Sequence, residues 1–239
     1  MTGQCKLCLR PEETLRNSHI IPEFNYLTCY DEKHRFHVLS TSGPKHDRYQ
    51  QMGIREHLLC QTCETHLSKY EGYAKTSVFE DGLSLRSRNE FAMELDGVDY
   101  EKFRIYGLSL LWRMSVSTLP MFREVKLGPH EEVIRSHVRS GVAPPPDKYP
   151  FLLAAVRIGG QFRTEYIVQP SLSKDCGQHI YRVPIGGIIY SFFVASHPVE
   201  PDFQRLALTS EGTLPVLIAP LEKVPFLVGH FTQLSGVIS

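Results

Sequence analysis

Cys5-Lys6-Leu7-Cys8 and Cys60-Gln61-Thr62-Cys63 are two Cys-x-x-Cys knuckles, and between them stands Ser18-His19-Ile20-Ile21-Pro22. Two knuckles at this spacing can give four thiolates to one tetrahedral zinc at about 2.3 Å each. Each knuckle holds its pair of sulfurs on a single tight turn, so only two turns have to meet. The loop between them is long, but closure entropy grows only logarithmically with length, and metal binding offsets it. The expectation is a structural Zn2+ site made by Cys5, Cys8, Cys60 and Cys63.

Working outward, 239 residues suffice to bury a substantial core, as one elaborate domain or as a small module plus a larger one. Hydrophobic residues make up 42% of the chain and charged residues 22%, the composition of an ordinary globular protein. A formal net charge of zero argues against a broad electrostatic grip on nucleic acid, though it says nothing about a local basic strip. Six cysteines, four of them in knuckles, fit a reducing cytoplasm better than a disulfide framework. Cys29 and Cys176 are left over and read as buried free thiols. No apolar run reaches the roughly 18 residues that span a bilayer. The start Met1-Thr2-Gly3-Gln4-Cys5 lacks the basic-then-apolar pattern of a signal peptide. The expected location is cytoplasmic, with no membrane partner.

Residues 17–24 read as a short strand stopped by Pro22, which cannot donate to a ladder. Residues 31–51 are polar and basic, with Lys33, His34, Arg35, His37, Lys45, His46 and Arg48. Phe36 and Val38 alternate with polar neighbours as in a short strand, and the turn signal Ser42-Gly43-Pro44 follows. This stretch is either a solvated insertion or a basic surface for a phosphate backbone. The second knuckle opens a helix for which Gly72 is the expected stop. Residues 76–100 read as a charged connection. Residues 100–117 are the most helix-like stretch, apolar on nearly every side, which predicts a buried helix. Within it Trp112 is core, and Arg113 must find a carboxylate or carbonyls. Pro129, Glu131 and Glu132 open a further helix, Gly141 closes it, and Pro144-Pro145-Pro146 forces an extended connection. Beyond residue 149 the β-branched and aromatic runs 151–158, 163–168, 179–183, 188–195 and 214–219 read as strands, with Gly159-Gly160 turning a hairpin.

A knuckle, a hairpin and a helix that donates the last ligands from its first turn make the treble-clef arrangement. The expected fold is therefore α+β. An N-terminal treble-clef/ββα zinc module (residues 1–75) precedes helices and a mostly antiparallel sheet (residues 76–239) with no role assigned.

The order Cys5-x-x-Cys8, Ser18-His19-Ile20-Ile21-Pro22, Leu58-Leu59-Cys60-x-x-Cys63-Glu64 resembles the zinc-bearing HNH (ββα-metal) endonucleases, over roughly the first third of the chain. The resemblance implies a metal-dependent endonuclease hydrolysing nucleic-acid phosphodiesters, with DNA favoured over RNA. It sets His19 at the general-base position. It sets Glu64 where the family's helical ligand to a catalytic Mg2+ or Mn2+ sits. The chain departs from the pattern at Ser18, where a charged or imidazole ligand is expected. The family's middle Asn has no counterpart beyond Asn25, which is merely nearby. His66 or Glu71 could complete the site, although His66 lies two residues past Glu64 and points elsewhere on a regular helix. Tyr70 could stack on a base or lie in the core. The segments Leu108-Ser109-Leu110-Leu111-Trp112-Arg113 and Leu127-Gly128-Pro129-His130-Glu131-Glu132 resemble ones that accompany such an N-terminus in bacterial proteins, which adds no function.

The alternative is a non-catalytic, zinc-stabilised protein that binds nucleic acid or another protein. His19 is then a buried histidine that pins the hairpin. Ser18 and Glu64 favour this alternative, whereas His19 and the basic loop favour the enzyme. A serine hydrolase and a nucleotide-phosphate enzyme are disfavoured, because neither Gly-x-Ser-x-Gly nor a glycine-rich phosphate loop is present. Phe192-Phe193-Val194 and the apolar C-terminal tail offer a surface for a homo-oligomer or a protein partner.

Overall fold

The computed structural model describes residues 1–40, 46–80, 83–162, 164–175, 177–224 and 227. The turn expected at 42–44, Cys176, Arg163 and the C-terminal tail fall outside them. From the N-terminus run β1 (Thr2–Gly3), β2 (Glu13–His19), a 3-10 segment (Glu23–Cys29), β3 (Phe36–Leu39), β4 (Arg48–Gln50), β5 (Arg55–Cys60) and helix α1 (Gln61–Tyr73). Strand β2 pairs antiparallel with both β1 and β5, with a bulge between Arg16 and Asn17. The strand expected at 17–24 thus lies earlier, and Ile20 and Ile21 leave it to enter the core. Gly72 does not stop α1. Its backbone is helical, so it supplies no left-handed cap, and the chain continues through a π-helical turn to Phe79.

The next elements are β6 (Ser84–Arg88), β7 (Ala92–Asp96), α2 (Tyr100–Val116), α3 (His130–Ser140), β8 (Phe151–Ile158), β9 (Gln161–Phe162), β10 (Tyr166–Val168) and β11 (Ser171–Asp175). β12 (Gln178–Ile185), β13 (Ile188–Val194), α4 (Pro201–Gln204) and β14 (Leu214–Pro220) complete the described chain. The large sheet has the order β4-β3-β10-β12-β13-β8-β14-β7-β6, with β11 on β12 and β9 on β8. It is mixed, which corrects the expectation of a mostly antiparallel sheet. β10 runs parallel to β3, and β14 runs parallel to β8. Both parallel pairs are joined by long connections, as parallel neighbours require. Strands β3 and β4 belong to the first 75 residues, so segments on both sides of the expected boundary share one sheet. Within the stretch 76–100, residues 84–96 form a hairpin, β6–β7, at the sheet edge rather than a plain connection.

Helix α2 is the hub. The Asp99 side chain caps it by accepting the Lys102 amide at 3.0 Å, and nearly every residue along it is buried. A Cβ at Gly107 would stand 2.2 Å from Phe151 Cε1, so glycine is what lets the helix lie directly on β8. Trp112 is fully buried, as read from the sequence. Buried Arg104 donates to the carbonyls of Tyr149 and Lys148, tying α2 to the start of β8. Helix α3 ends at Gly141 in the left-handed region (φ 74°), again as expected. Phe192, Phe193 and Val194 are all buried, Phe193 against Phe203, so they form no partner surface. Among the described residues no helix is long and apolar enough to cross a membrane.

Candidate metal centre and the groove beside it

The first knuckle is a tight turn in which the Leu9 amide donates to the Cys5 carbonyl at 2.9 Å, with Leu9 itself at φ 61°. The Lys6 amide reaches the Leu58 carbonyl at 3.0 Å and pins the turn to β5. Cys60 ends β5 and caps α1, which places Cys63 in the first helical turn. All four sulfurs lie within 4.8 Å of one another, and Cys8 and Cys60 Sγ are 3.9 Å apart. A tetrahedron with bonds of about 2.3 Å has edges of about 3.8 Å, so the four thiols can hold a metal ion such as zinc. Arg10 donates to Cys8 and Cys60 Sγ, and the Cys60 amide donates to Cys5 Sγ at 3.3 Å. Such donors stabilise thiolates around a metal. Burial pushes the Cys5 and Cys63 thiols up. It also opposes ionisation of Cys8, but the hydrogen bond from Arg10 outweighs this with help from neighbouring groups, and Cys8 falls to about 6.

In the same first turn, α1 presents Glu64 to the end of β2. Ser18 is buried, accepts the Leu59 amide at 3.3 Å and donates to the Arg16 carbonyl at 3.3 Å. Burial raises the Glu64 carboxyl above its ordinary range, while the Ser18 hydroxyl and the Arg113 guanidinium act the other way. Glu64 Oε1 is buried without a hydrogen-bond partner. Arg113, reaching in from α2, is 1% exposed and donates to Glu71 Oε1 at 2.7 Å and to the His19 carbonyl at 2.8 Å. It has found both the carboxylate and the carbonyl that burial demanded. This donor set does not fit a hard divalent cation. Its hydroxyl is neutral and bonded to backbone, one carboxylate already faces an arginine, and the place for a positive charge is taken by the chain's own guanidinium.

His19 ends β2 opposite Arg55 and is half-buried. Burial lowers its imidazole below the ordinary value and Arg55 adds to this, against Glu23 and Glu71. Its Nε2 has no hydrogen-bond partner, and neither has the hydroxyl of fully buried Tyr26. Both rings crowd Gly53, where a Cβ would meet Tyr26 Oη at 1.9 Å and His19 Cδ2 at 3.1 Å. The remaining candidates are structural. Asn25 Nδ2 donates to the hydroxyls of Tyr106 and Tyr190, which ties the 3-10 segment to α2 and β13. His66 Nε2 bonds the Val138 carbonyl of α3 at 2.9 Å. Tyr70 packs where Gly141 leaves room at the end of α3. Cys29 is buried and its thiol is raised by burial.

Gly53 also lines an open groove of about 1050 Å³ between the β2–β5 hairpin, the basic stretch and residues 119–121. Sequence reasoning reached part of it, the basic stretch, but not Asn17 and Arg55 of the hairpin or Tyr30 and Tyr49. Asp31 builds one wall. Its carboxylate accepts the amides of Lys33 and Arg35 and the Arg35 guanidinium at 2.8 Å. The tight turn that results holds His34 at φ 54° and stacks its ring on Tyr30, centroids 3.9 Å apart. Tyr49 stacks on His37 and carries the Arg35 guanidinium at 4.6 Å, yet remains 60% exposed. Arg48 and Arg55 have no carboxylate within ion-pair distance among the described residues. No protein-family model matches the chain, and neither a curated protein nor a solved structure matches it.

Proposed function

We propose that the chain binds nucleic acid in the groove beside its β2–β5 hairpin, and that zinc in the four-cysteine cluster fixes that hairpin in place. The reading is carried by the unpaired cations: Arg48 and Arg55 line one groove from two different elements, with a single acidic residue, Glu23, on its walls. Cations left without carboxylates are free to neutralise phosphates, while Asn17 and the stacked rings add polar and aromatic contacts. The zero net charge does not oppose this, because the basic residues are gathered locally. Anisotropy titrations of short labelled DNA and RNA oligonucleotides test the reading. Binding is expected at low salt and should weaken as salt rises. Arg48→Ala and Arg55→Ala should each reduce the log–log salt slope by about 0.7–0.9. Absence of binding to any oligonucleotide at low salt defeats the proposal and leaves a protein partner as the occupant.

A second reading is HNH-type phosphodiester hydrolysis with His19 as general base. One observation favours it: His19 Nε2 is unpartnered, and burial biases the ring toward the neutral form that a base needs. Against it stands the misfit of Ser18, Glu64 and Arg113 to a catalytic Mg2+ or Mn2+. Plasmid DNA incubated with Mn2+ separates the two. The binding reading expects intact plasmid, whereas nicking that disappears in His19→Ala would establish the hydrolytic one.

A further inference from the structure

Resting on the nucleic-acid reading above, we infer that the groove takes a single strand with unpaired bases and not a duplex. Three features of the groove point the same way. The first is size. Its volume of about 1050 Å³ is that of a ligand-sized recess, whereas the major groove of a duplex is read by an element that protrudes into it.

The second feature is the presentation of flat π-faces within the groove. His34 is stacked at 6° on Tyr30 and is itself exposed. One face of its imidazole is used and the other is open. Its left-handed backbone, unusual for a residue with a side chain, is held by the Asp31 turn. Strain of this kind persists where surrounding structure imposes it, and it sets the ring on the groove wall. Tyr49 is 60% exposed, although its ring already carries His37 and the Arg35 guanidinium, so the open face is that of His34. Aromatic faces beside backbone-neutralising cations are how single strands are held without reading their sequence.

The third feature is continuity. A smaller cavity of about 340 Å³ shares Arg48, Pro120 and Met121 with the groove and extends past them to His46 and Arg123. Arg48 stands at the junction. A track that continues beyond one compartment suits a polymer better than a free nucleotide. Gly53, which also lines the groove, lies against the rings of Tyr26 and His19, whose hydroxyl and Nε2 are unpartnered.

The test is a set of anisotropy titrations of the zinc-loaded full chain, using one labelled oligonucleotide free, annealed to its complement, and in competition with a mononucleotide. The free strand should bind at least tenfold more tightly than the duplex, and the mononucleotide should compete poorly. His34→Gly removes the ring while relieving the positive φ, so lost folding cannot explain its effect. It should weaken single-strand binding by about tenfold and leave duplex binding unchanged. Equal or tighter binding of the duplex overturns the inference but leaves the nucleic-acid reading standing. An unchanged affinity in His34→Gly also overturns it. Failure of both forms to bind overturns the reading on which it rests.

Discussion

Helix α1 serves two polar constellations whose solutions differ. At its first turn four sulfurs converge with no internal cation among them, apart from the flanking Arg10. Along the same helix, Glu64 and Glu71 face Ser18 and the His19 carbonyl, and there the chain supplies the cation itself, from Arg113. The first arrangement is one that an external ion could complete. The second is completed by a side chain from α2. Residues that look alike as ligands in a sequence are thus separated by one distant arginine.

The largest effect should come from breaking the first site. Chelation, or Cys60→Ser, should remove one zinc per chain and collapse cooperative unfolding, because structural zinc contributes about 10–16 kcal/mol in small zinc modules. Metal analysis with a thermal melt reads this out, and a folded, metal-free protein would refute it. Next comes the second site. Arg113→Met should cost about 3–5 kcal/mol by stranding a carboxylate and a carbonyl. The double variant Arg113→Met/Glu71→Met should recover part of the loss in a denaturant titration. If the single variant is neutral, Arg113 is not the internal cation described above.

Smaller is the response to added metal. Millimolar Mg2+ or Mn2+ should leave the melting temperature of the zinc-loaded protein unchanged, since ligand binding to the folded state alone would raise it. A clear rise would show that the Glu64 cradle accepts an ion and would erase the contrast. The least effect is that of pH at His19. Its folded value is depressed, so the unfolded chain binds more protons below about pH 6.5, and the contribution present above that pH is lost on acidification through the folded value. His19→Gln should flatten this acid limb of the melting curve. An identical limb in the variant would assign it to other groups.

Local signals were legible in the sequence and long-range ones were not. The knuckles, the caps of α3 at Pro129 and Gly141, and the apolar run of α2 are each written within a few residues. The β6–β7 hairpin was missed because an edge pair bearing Arg86, Arg88, Glu94 and Asp96 lacks the alternation of a half-buried strand. The parallel pairings were missed because nothing near Phe36–Leu39 names Tyr166–Val168 as its neighbour. At the site, the need of Arg113 for a partner could be read, but not that Glu71 and the His19 carbonyl would meet it. The groove was half visible: the cations of residues 31–51 stood out, whereas Arg55 and Asn17 join them only once β2 and β5 pair.

The pairing of β3 with β10 has a consequence for synthesis. The register joins Val38 to Ile167, across about 130 residues, a separation that slows folding. While the middle of the protein is still being made, a β3–β4 ribbon would have both edges bare, and the β3 edge would have no neighbour yet in existence. Until the segment at 166–168 emerges, that edge can recruit strands from other nascent chains. A newly made molecule would therefore pass through a window of vulnerability at the β3 edge, which β10 covers in the finished one.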